Sequence, residues 1–145
     1  MMRMLVATDG SPHAIKAAEL AARFARELRG AEVILVNVGH IPAIAMGGPS
    51  PDMMVDLGSL EEGLEQAGQA ILAQAHEVFA GVDARVTRVY RRGDPAGEVV
   101  KVAKEHQADL IIMGSRGLGQ FGGLILGSVS ERVLHAASIP VLIVR

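Results

Sequence analysis

The chain has 145 residues, of which 50% are apolar and 21% charged, which suits one globular domain with a single core. It contains no cysteine, and this excludes disulfides, a thiol nucleophile, iron–sulfur clusters and Cys-based zinc sites. The formal net charge of -2 and the 3% aromatic content give no general basis for binding nucleic acid or an anionic membrane.

The first residues do not resemble a targeting segment. Met1 to Asp9 contain one Arg and a short apolar run, without the successive basic, apolar and small-residue blocks of a signal peptide. No apolar run reaches the roughly 18 residues of a membrane span, since Gly114 and Gly127 interrupt the apolar stretches near them. We therefore expect a cytoplasmic protein that does not cross a membrane.

Short apolar runs alternate along the chain with longer segments of helical periodicity, a pattern typical of βαβ units around a parallel sheet. Most of these runs are almost continuously apolar, as expected of strands that helices cover on both faces. The five predicted strands are Met4 to Thr8, Glu32 to Val38, Ala84 to Tyr90, Leu110 to Met113, and Val141 to Val144.

Four helices are predicted between the strands, and each begins at a residue pattern that caps helix N-termini. Ser and Asp side chains accept hydrogen bonds from first-turn amides, and proline suits the first helical position. Gly30 and Gly81 lie where the first two helices should end. The predicted N-terminal signals are Ser11 with Pro12, the capping box Ser59 with Glu62, Asp94 with Pro95, and the capping box Ser128 with Glu131.

The order of these elements predicts a doubly wound α/β fold. Such a five-stranded sheet commonly has the strand order 3-2-1-4-5, because crossovers are right-handed and the chain reverses direction after the third strand. Strands one and four are then neighbours, and ligands bind outside their carboxyl ends. We therefore expect the site at the loops that follow Asp9 and Met113.

One long connection, Gly39 to Gly58, is irregular because glycines and prolines interrupt it repeatedly. Loops of this length are usually functional or disordered, and the sequence leaves both alternatives open. The first is a mobile, solvated loop. The second is an ordered lid, for which Met46, Met53 and Met54 would supply adaptable packing.

The stretch from Gly114 to Ser130, GSRGLGQFGGLILGSVS, contains six glycines and lies between a buried strand and a helix. Glycines permit positive φ and close approach of backbone amides to an anion, and the helix N-terminus adds unpaired N–H groups and positive potential. The stretch therefore predicts a phosphate site. Gly127 is its sharpest marker, since a helix start needs glycine only where the backbone turns unusually or something approaches it closely.

Two common phosphate motifs do not account for this stretch. A Walker A loop requires a Gly-Lys pair, and the chain has none. Gly117, Gly119 and Gly122 match a dinucleotide fingerprint formally. However, no helix opens at Gly122 and no acidic residue ends a strand about twenty residues later, so we interpret the match as coincidence.

A third pattern fits: Gly114, two residues, Gly117, nine residues, then Gly127-Ser128. It resembles the G-2x-G-9x-G-Ser/Thr signature of the ATP-binding subgroup of the universal stress protein (UspA) family. The segments LVATDGSPHA, ADLIIMGSRG and GSVSERVLHAASIPVLIVR also resemble that family, at residues 5–14, 108–117 and 127–145. The resemblance thus spans nearly the whole chain and implies one Rossmann-like, adenine nucleotide alpha hydrolase-like domain over residues 1–145.

The resemblance implies a site for ATP, with Mg²⁺ held mainly through the phosphates. Asn37 departs from the family, in which His often stands next to the equivalent of Val38, and this puts the polar surroundings of the base in doubt. By resemblance, Ala7, Thr8 and Asp9 would line the adenosine side and Val38 would offer backbone contacts to adenine. Met113 would also belong to the binding site, and the ribose and phosphates would be surrounded by Gly114, Arg116, Gly117, Gly127, Ser128, Val129 and Ser130.

Purely structural interpretations of these residues stay open. Ser128 with Glu131 could be only a helix cap, Asp9 only a loop residue that binds local amides, and Arg116 only a solvated loop side chain. The five histidines show no metal-ligand spacing and are interpreted as surface or helix residues, and no GxSxG motif suggests a catalytic triad.

The functional hypothesis is an ATP-binding regulatory or stress-response module with slow or no hydrolysis. The alternative is an ATP-hydrolysing or nucleotidyl-transfer enzyme that uses the same site. Catalysis would need a positioned base and charge stabilisation, and Asp9 is the only plausible acid near the phosphates. A third alternative is a structural dimer that binds no nucleotide, which the intact glycine spacing disfavours.

The last predicted strand, Val141 to Val144, is apolar and would lie at a sheet edge. Exposed edges have unpaired amides and carbonyls, which proteins normally cover or pair. We therefore expect a homodimer through this strand, and the family resemblance points the same way. The alternative is a monomer whose short edge strand is tolerated.

Overall fold

The structure is a computed structural model of the chain, and it describes residues 1–41, 56–117 and 126–145. Five strands and four helices alternate along these residues. The strands are β1 (Arg3–Ala7), β2 (Glu32–Gly39), β3 (Arg85–Arg92), β4 (Leu110–Gly114) and β5 (Val141–Val144). The helices are α1 (Pro12–Glu27), α2 (Leu57–Glu77), α3 (Pro95–Glu105) and α4 (Ser128–Ala136).

The strands form one parallel sheet in the order β3-β2-β1-β4-β5, which confirms the predicted α/β architecture. From the central strand β1 the chain adds β2 and β3 toward one edge of the sheet, and then β4 and β5 toward the other edge. Ala7 at the end of β1 pairs with Met113 in β4, so the loops after both strands leave the same edge side by side. The switch point that ligands use in such folds therefore lies between them.

Two apolar layers enclose the sheet. On one face, five buried alanines of α1 pack with Leu72 and Ala75 of α2, and these small side chains allow α1 to lie close to the strands. On the other face, Val99 and Val102 of α3 pack with Val133 of α4. Both faces are covered, which explains why the central strands are almost continuously apolar.

The predicted N-caps of the first and third helices are confirmed. The Ser11 hydroxyl accepts a hydrogen bond from the Ala14 amide at 3.3 Å, and Pro12 is the first residue of α1. The Asp94 carboxylate accepts from the Gly97 amide at 2.9 Å. Gly30 and Gly81 have positive φ of 71° and 74° just beyond α1 and α2, as expected of glycines after helix ends.

The predicted cap of the second helix is wrong. Asp56, not Ser59, is the N-cap of α2, and its carboxylate accepts from the Gly58 amide at 3.1 Å. The Ser59 hydroxyl lies within the first turn and donates to Asp56 at 2.8 Å, a hydrogen bond that lowers the pKa of this carboxyl. Asp56 suits the N-cap position because its two carboxylate oxygens accept hydrogen bonds from a backbone amide and from a hydroxyl at the same time.

The long connection from Gly39 to Gly58 falls mostly outside the described residues, as do Met46, Met53 and Met54. The choice between a lid and a solvated loop therefore stays a prediction. Gly119 and Gly122 of the glycine-rich stretch also lie outside the described residues. Over the ranges that are described, no helix is long and apolar enough to cross a membrane.

Two glycines of α2 are in opposite surroundings, and this gives a test of the packing between α2 and β3. A Cβ at Gly68 would overlap the ring of Tyr90 and lie 2.7 Å from Asn37 Oδ1. A Cβ at Gly63, which is exposed, would meet nothing within 4 Å. The Tyr90 hydroxyl is buried without a hydrogen-bond partner in the described structure, and burial raises its pKa.

We expect Gly63→Ala to raise the free energy of unfolding by about 0.5–1 kcal/mol, because alanine restricts the unfolded chain and favours helix. Gly68→Ala should instead lower it by about 1–3 kcal/mol, because the added methyl forces Tyr90 or α2 to move. Urea unfolding of the two variants and of the parent measures both changes in the free energy of unfolding. Equal stabilisation by the two alanine substitutions would show that Gly68 of α2 does not pack closely against the Tyr90 ring.

Candidate nucleotide site

A cavity of about 740 Å³ opens at the carboxyl edge of the sheet, between the ends of β1 and β4. This is the place where the strand order predicts a site. All twelve residues proposed from the sequence line it, namely Ala7, Thr8, Asp9, Val38, Met113, Gly114, Arg116, Gly117, Gly127, Ser128, Val129 and Ser130. Their contact with a ligand stays a prediction.

Sequence reasoning missed six further lining residues. Pro95 and Val99 belong to the first turns of α3, and Val36 lies on β2 on the same face as Val38. Together with Met113 they make one end of the cavity apolar, a surface suited to a flat base. The i, i+4 spacing of Pro95 and Val99 places both on one helix face, but nothing in the sequence directs that face toward the cavity. The others are Ala14, Asn37 and His40.

The loop after β4 is fixed by backbone hydrogen bonds. Ser115 donates its amide to the carbonyl of Val144 in β5 and accepts from the amide of Gly127, each at 2.7 Å. The Ser130 hydroxyl of α4 donates to the Gly114 carbonyl at 2.8 Å. These hydrogen bonds attach Gly114 and Ser115, at the end of β4, to β5 and to the start of α4.

The glycines of this loop have structural reasons that the sequence did not reveal. A Cβ at Gly114 would lie 2.7 Å from the backbone carbon of His13 and 2.9 Å from the Ala14 amide nitrogen. Glycine is therefore needed there so that α1 can approach β4. At Gly117, a Cβ would lie 2.5 Å from Asp9 Oδ2, so glycine makes room for this carboxylate.

Gly127 begins α4 with φ -71° and ψ 158°, an extended conformation that any residue adopts. Of the two explanations from the sequence, an unusual backbone turn is therefore wrong at this position, and close approach of a ligand stays a prediction. The predicted capping box at Ser128 and Glu131 is also wrong. Gly127 is the N-cap, Ser128 is the first helical residue, and no side chain of the described residues caps the helix.

The start of α4 thus differs from the starts of α1, α2 and α3, each of which has a side-chain cap. The first-turn amides of a helix have no acceptor within the helix, and the helix dipole adds positive potential there. At α4 the residues that carry these amides, Ser128, Val129 and Ser130, line the cavity. This is the arrangement that binds phosphate groups at helix N-termini.

Three charged or titratable side chains line the cavity in the described part of the chain: Asp9, Arg116 and His40. Asp9 accepts the Ser11 amide at 2.9 Å, so it does cap local backbone, as the structural interpretation expected. The Ser11 hydroxyl also lies 3.4 Å from the Arg116 carbonyl, which joins the loops after β1 and β4. Asp9 is the single carboxylate in this set.

Asn37, the departure from the family pattern, has a structural role. Its side-chain amide donates to the Thr8 carbonyl at 2.8 Å, and the residue is 6% exposed. Its Oδ1 lies beside Gly68, on the sheet face that α1 and α2 cover. The side chain therefore ties β2 to the end of β1, at a position that also lines the cavity.

The described residues contain no group of three His, Asp or Glu side chains that could hold a metal ion. His13 of α1 lies with Nδ1 3.0 Å from the Ser115 hydroxyl, which adds a further contact to the loop after β4. His40 is exposed, as predicted, but it also lines the cavity.

An ion pair joins α3 and α4, two helices that contribute residues to the cavity lining. Arg132 of α4 donates to Asp94, the N-cap of α3, at 2.7 Å. This hydrogen bond and that from the Gly97 amide hold the pKa of the Asp94 carboxyl below its ordinary value. The pair fixes the distance between two helices whose residues Pro95 and Val129 line the cavity.

Comparison with known proteins places these features in a family. The sequence pattern of the universal stress protein family matches residues 1–145. The chain is 34% identical over 148 aligned residues to the universal stress protein YxiE of Bacillus subtilis, covering 99% of this chain and 98% of that protein.

Solved structures are similar over the same length. The universal stress protein UspA of Lactobacillus plantarum superposes with a TM-score of 0.83 at 22% identity, covering 99% of this chain and 97% of that one, and this shows the fold. A universal stress protein solved in complex with cAMP has a TM-score of 0.71 and 27% identity, with 99% and 97% coverage.

Proposed function

The chain belongs to the universal stress protein family, and we propose that it is a cytoplasmic, ATP-binding member that acts as a nucleotide-dependent regulatory or stress-response module. The observation that carries the proposal is that the N-terminus of α4, which no side chain caps among the residues that the structure describes, lines the cavity. A similar protein that was solved with cAMP supports an adenine nucleotide as the ligand class.

In this proposal the base lies against the apolar residues Val36, Val38 and Val99, and the backbone of Val38 contacts its edge. Ala7, Thr8 and Asp9 line the adenosine side, next to Met113. The phosphates lie at the loop after β4 and at the start of α4, where the residues that surround them are Gly114, Arg116, Gly117, Gly127, Ser128, Val129 and Ser130.

Mg²⁺ would be held mainly through the phosphates. This fits the described residues, since the cavity offers one carboxylate, Asp9, and Mg²⁺ commonly keeps one or two carboxylates together with phosphates and water. The ion would neutralise phosphate charge that the backbone amides and Arg116 only partly offset.

Slow or absent hydrolysis is part of the proposal. A phosphoryl-transfer catalyst needs a group that orients the attacking water and cationic groups around the transferred phosphate. Asp9 already accepts the Ser11 amide, and no lysine lines the cavity in the described residues. The enzymatic alternative predicts release of many equivalents of inorganic phosphate per protein, and a phosphate-release assay with Mg-ATP in excess over protein distinguishes the two.

Mg-ATP should raise the melting temperature of the nucleotide-free protein. A ligand at 100 times its dissociation constant stabilises a folded protein by about 2.7 kcal/mol. The measurement is a calorimetric scan at millimolar Mg-ATP, on protein freed of nucleotide by unfolding and refolding. Mg²⁺ with GTP or with inorganic phosphate serves as the control, and no shift with Mg-ATP would contradict the proposal.

We also propose a homodimer through β5. This strand lies at the edge of the sheet, and all four of its apolar residues are only half-buried. Pairing with β5 of a second copy around a two-fold axis would satisfy the outward-facing backbone groups of both chains.

A further inference from the structure

His40 follows β2 and lines the cavity next to its apolar end. Its Nδ1 lies 3.1 Å from the carbonyl oxygen of Gly93. A carbonyl oxygen can only accept a hydrogen bond, so Nδ1 carries the proton and donates. In the neutral ring the other nitrogen, Nε2, is then an acceptor. The contact with Gly93 therefore fixes the tautomer of His40.

The turn that holds His40 is itself held on both sides. The Gly93 amide donates to the Gly39 carbonyl at 3.1 Å, so the end of β2 and the turn before α3 are joined by a pair of hydrogen bonds. Gly93 has φ 141°, a conformation that favours glycine. The next residue, Asp94, is paired with Arg132 of α4 at 2.7 Å.

The position of His40 relative to the cavity decides what it could contact. His40 contacts Gly93, two residues before Pro95, and both His40 and Pro95 line the cavity together with the apolar residues against which the base would lie. The side chain of Asn37 is engaged with Thr8 across the sheet. His40 is therefore the described side chain that brings a titratable polar group to the base end.

We propose that His40 determines base specificity: its Nε2 accepts a hydrogen bond from the exocyclic amino group of a 6-aminopurine and so selects adenine over 6-oxopurines. The inference rests on the proposed nucleotide-binding function. A 6-oxopurine presents a carbonyl at the same position, so two acceptors would face each other. One such lost hydrogen bond corresponds to a preference of about tenfold.

The test compares the dissociation constants of Mg-ATP and Mg-ITP for the parent, His40→Phe and His40→Ala. Phenylalanine keeps an aromatic ring but removes both the Nε2 acceptor and the Nδ1 donor to Gly93, and alanine removes the ring as well. Because the two bases also differ at N1, the quantity that matters is the change in the ITP/ATP ratio between parent and variant. An exposed side chain at the cavity mouth can be replaced without disturbing the core.

We expect the preference for ATP over ITP to be about tenfold smaller in both variants than in the parent, mainly through weaker ATP binding. A parent that binds ATP, with the same ratio in His40→Phe, would overturn the role of His40 and leave the proposed function intact. A parent that binds neither nucleotide would overturn both.

Discussion

Gly127→Asp should abolish the thermal stabilisation by Mg-ATP while the nucleotide-free protein stays as stable as the parent or becomes slightly more stable. Gly127 has φ -71° and ψ 158°, almost the same as the capping residue Ser11 at -67° and 159°. An aspartate there can adopt the N-cap conformation and accept a hydrogen bond from a first-turn amide of α4. Relative to glycine, this gains a few tenths of a kcal/mol.

The same carboxylate would occupy the amides that the phosphates need and would repel the phosphate charge. We expect ATP affinity to fall by at least about 100-fold, which corresponds to about 2.7 kcal/mol. Isothermal titration measures the affinity, and thermal unfolding of the nucleotide-free variant measures the stability. A lower ATP affinity together with an unchanged or higher stability would show that the variant loses the binding site and keeps the fold.

Gly127→Asn is the matched control, because asparagine caps helices about as well as aspartate and has no charge. It should lose about tenfold in affinity, less than the aspartate variant, and the difference between the two reports the repulsion of phosphate. An unchanged ATP response in Gly127→Asp would show that the start of α4 does not bind phosphate.

Ile143→Pro should convert the proposed homodimer into a folded monomer. The Ile111 amide donates to the Pro140 carbonyl and the Ser115 amide donates to the Val144 carbonyl, so these carbonyls of the final segment face β4. Backbone groups alternate in direction along a strand, so those of Leu142 also face β4 while those of Val141 and Ile143 face the open edge. Proline at 143 removes an outward-facing N–H and leaves the β4–β5 ladder in place.

The register therefore decides which substitution tests the dimer. Leu142→Pro would remove an amide that β5 needs for pairing with β4, and we expect it to destabilise the fold itself. Ile143→Ala shortens the side chain but keeps the edge N–H, so it should remain dimeric. Light scattering at micromolar concentration gives the mass of each variant. A monomeric parent would defeat the proposal, as would a folded Ile143→Pro variant that is still dimeric.

The strand order and the place of the cavity could be predicted from the sequence because both depend on patterns that are local. The apolar runs that became β1 and β4 identify strands covered on both faces, and right-handed crossovers then leave few possible orders. The switch point follows from that order without any knowledge of side-chain contacts. This is why the loops after Asp9 and Met113 were expected beside each other.

The capping predictions show where local patterns fail. Ser11 and Asp94 are N-caps as predicted, but Ser59 is displaced by Asp56 and Ser128 by Gly127. In each wrong case the Ser–Glu spacing was present, yet a residue further upstream already had the extended backbone conformation of a cap. The sequence shows which side chains can cap a helix, whereas the path of the incoming chain decides which of them does.

By itself, the sequence determined the family, the alternation of strands and helices, and the glycine spacing that marks the phosphate end of the proposed site. Only the tertiary structure decided why those glycines are there, since Gly114 makes room for α1 and Gly117 for Asp9. It also brought His40 to the cavity and turned the amide of Ile143 toward the sheet edge. These features depend on distances and directions between segments far apart in the chain, and no local pattern of residue types encodes them.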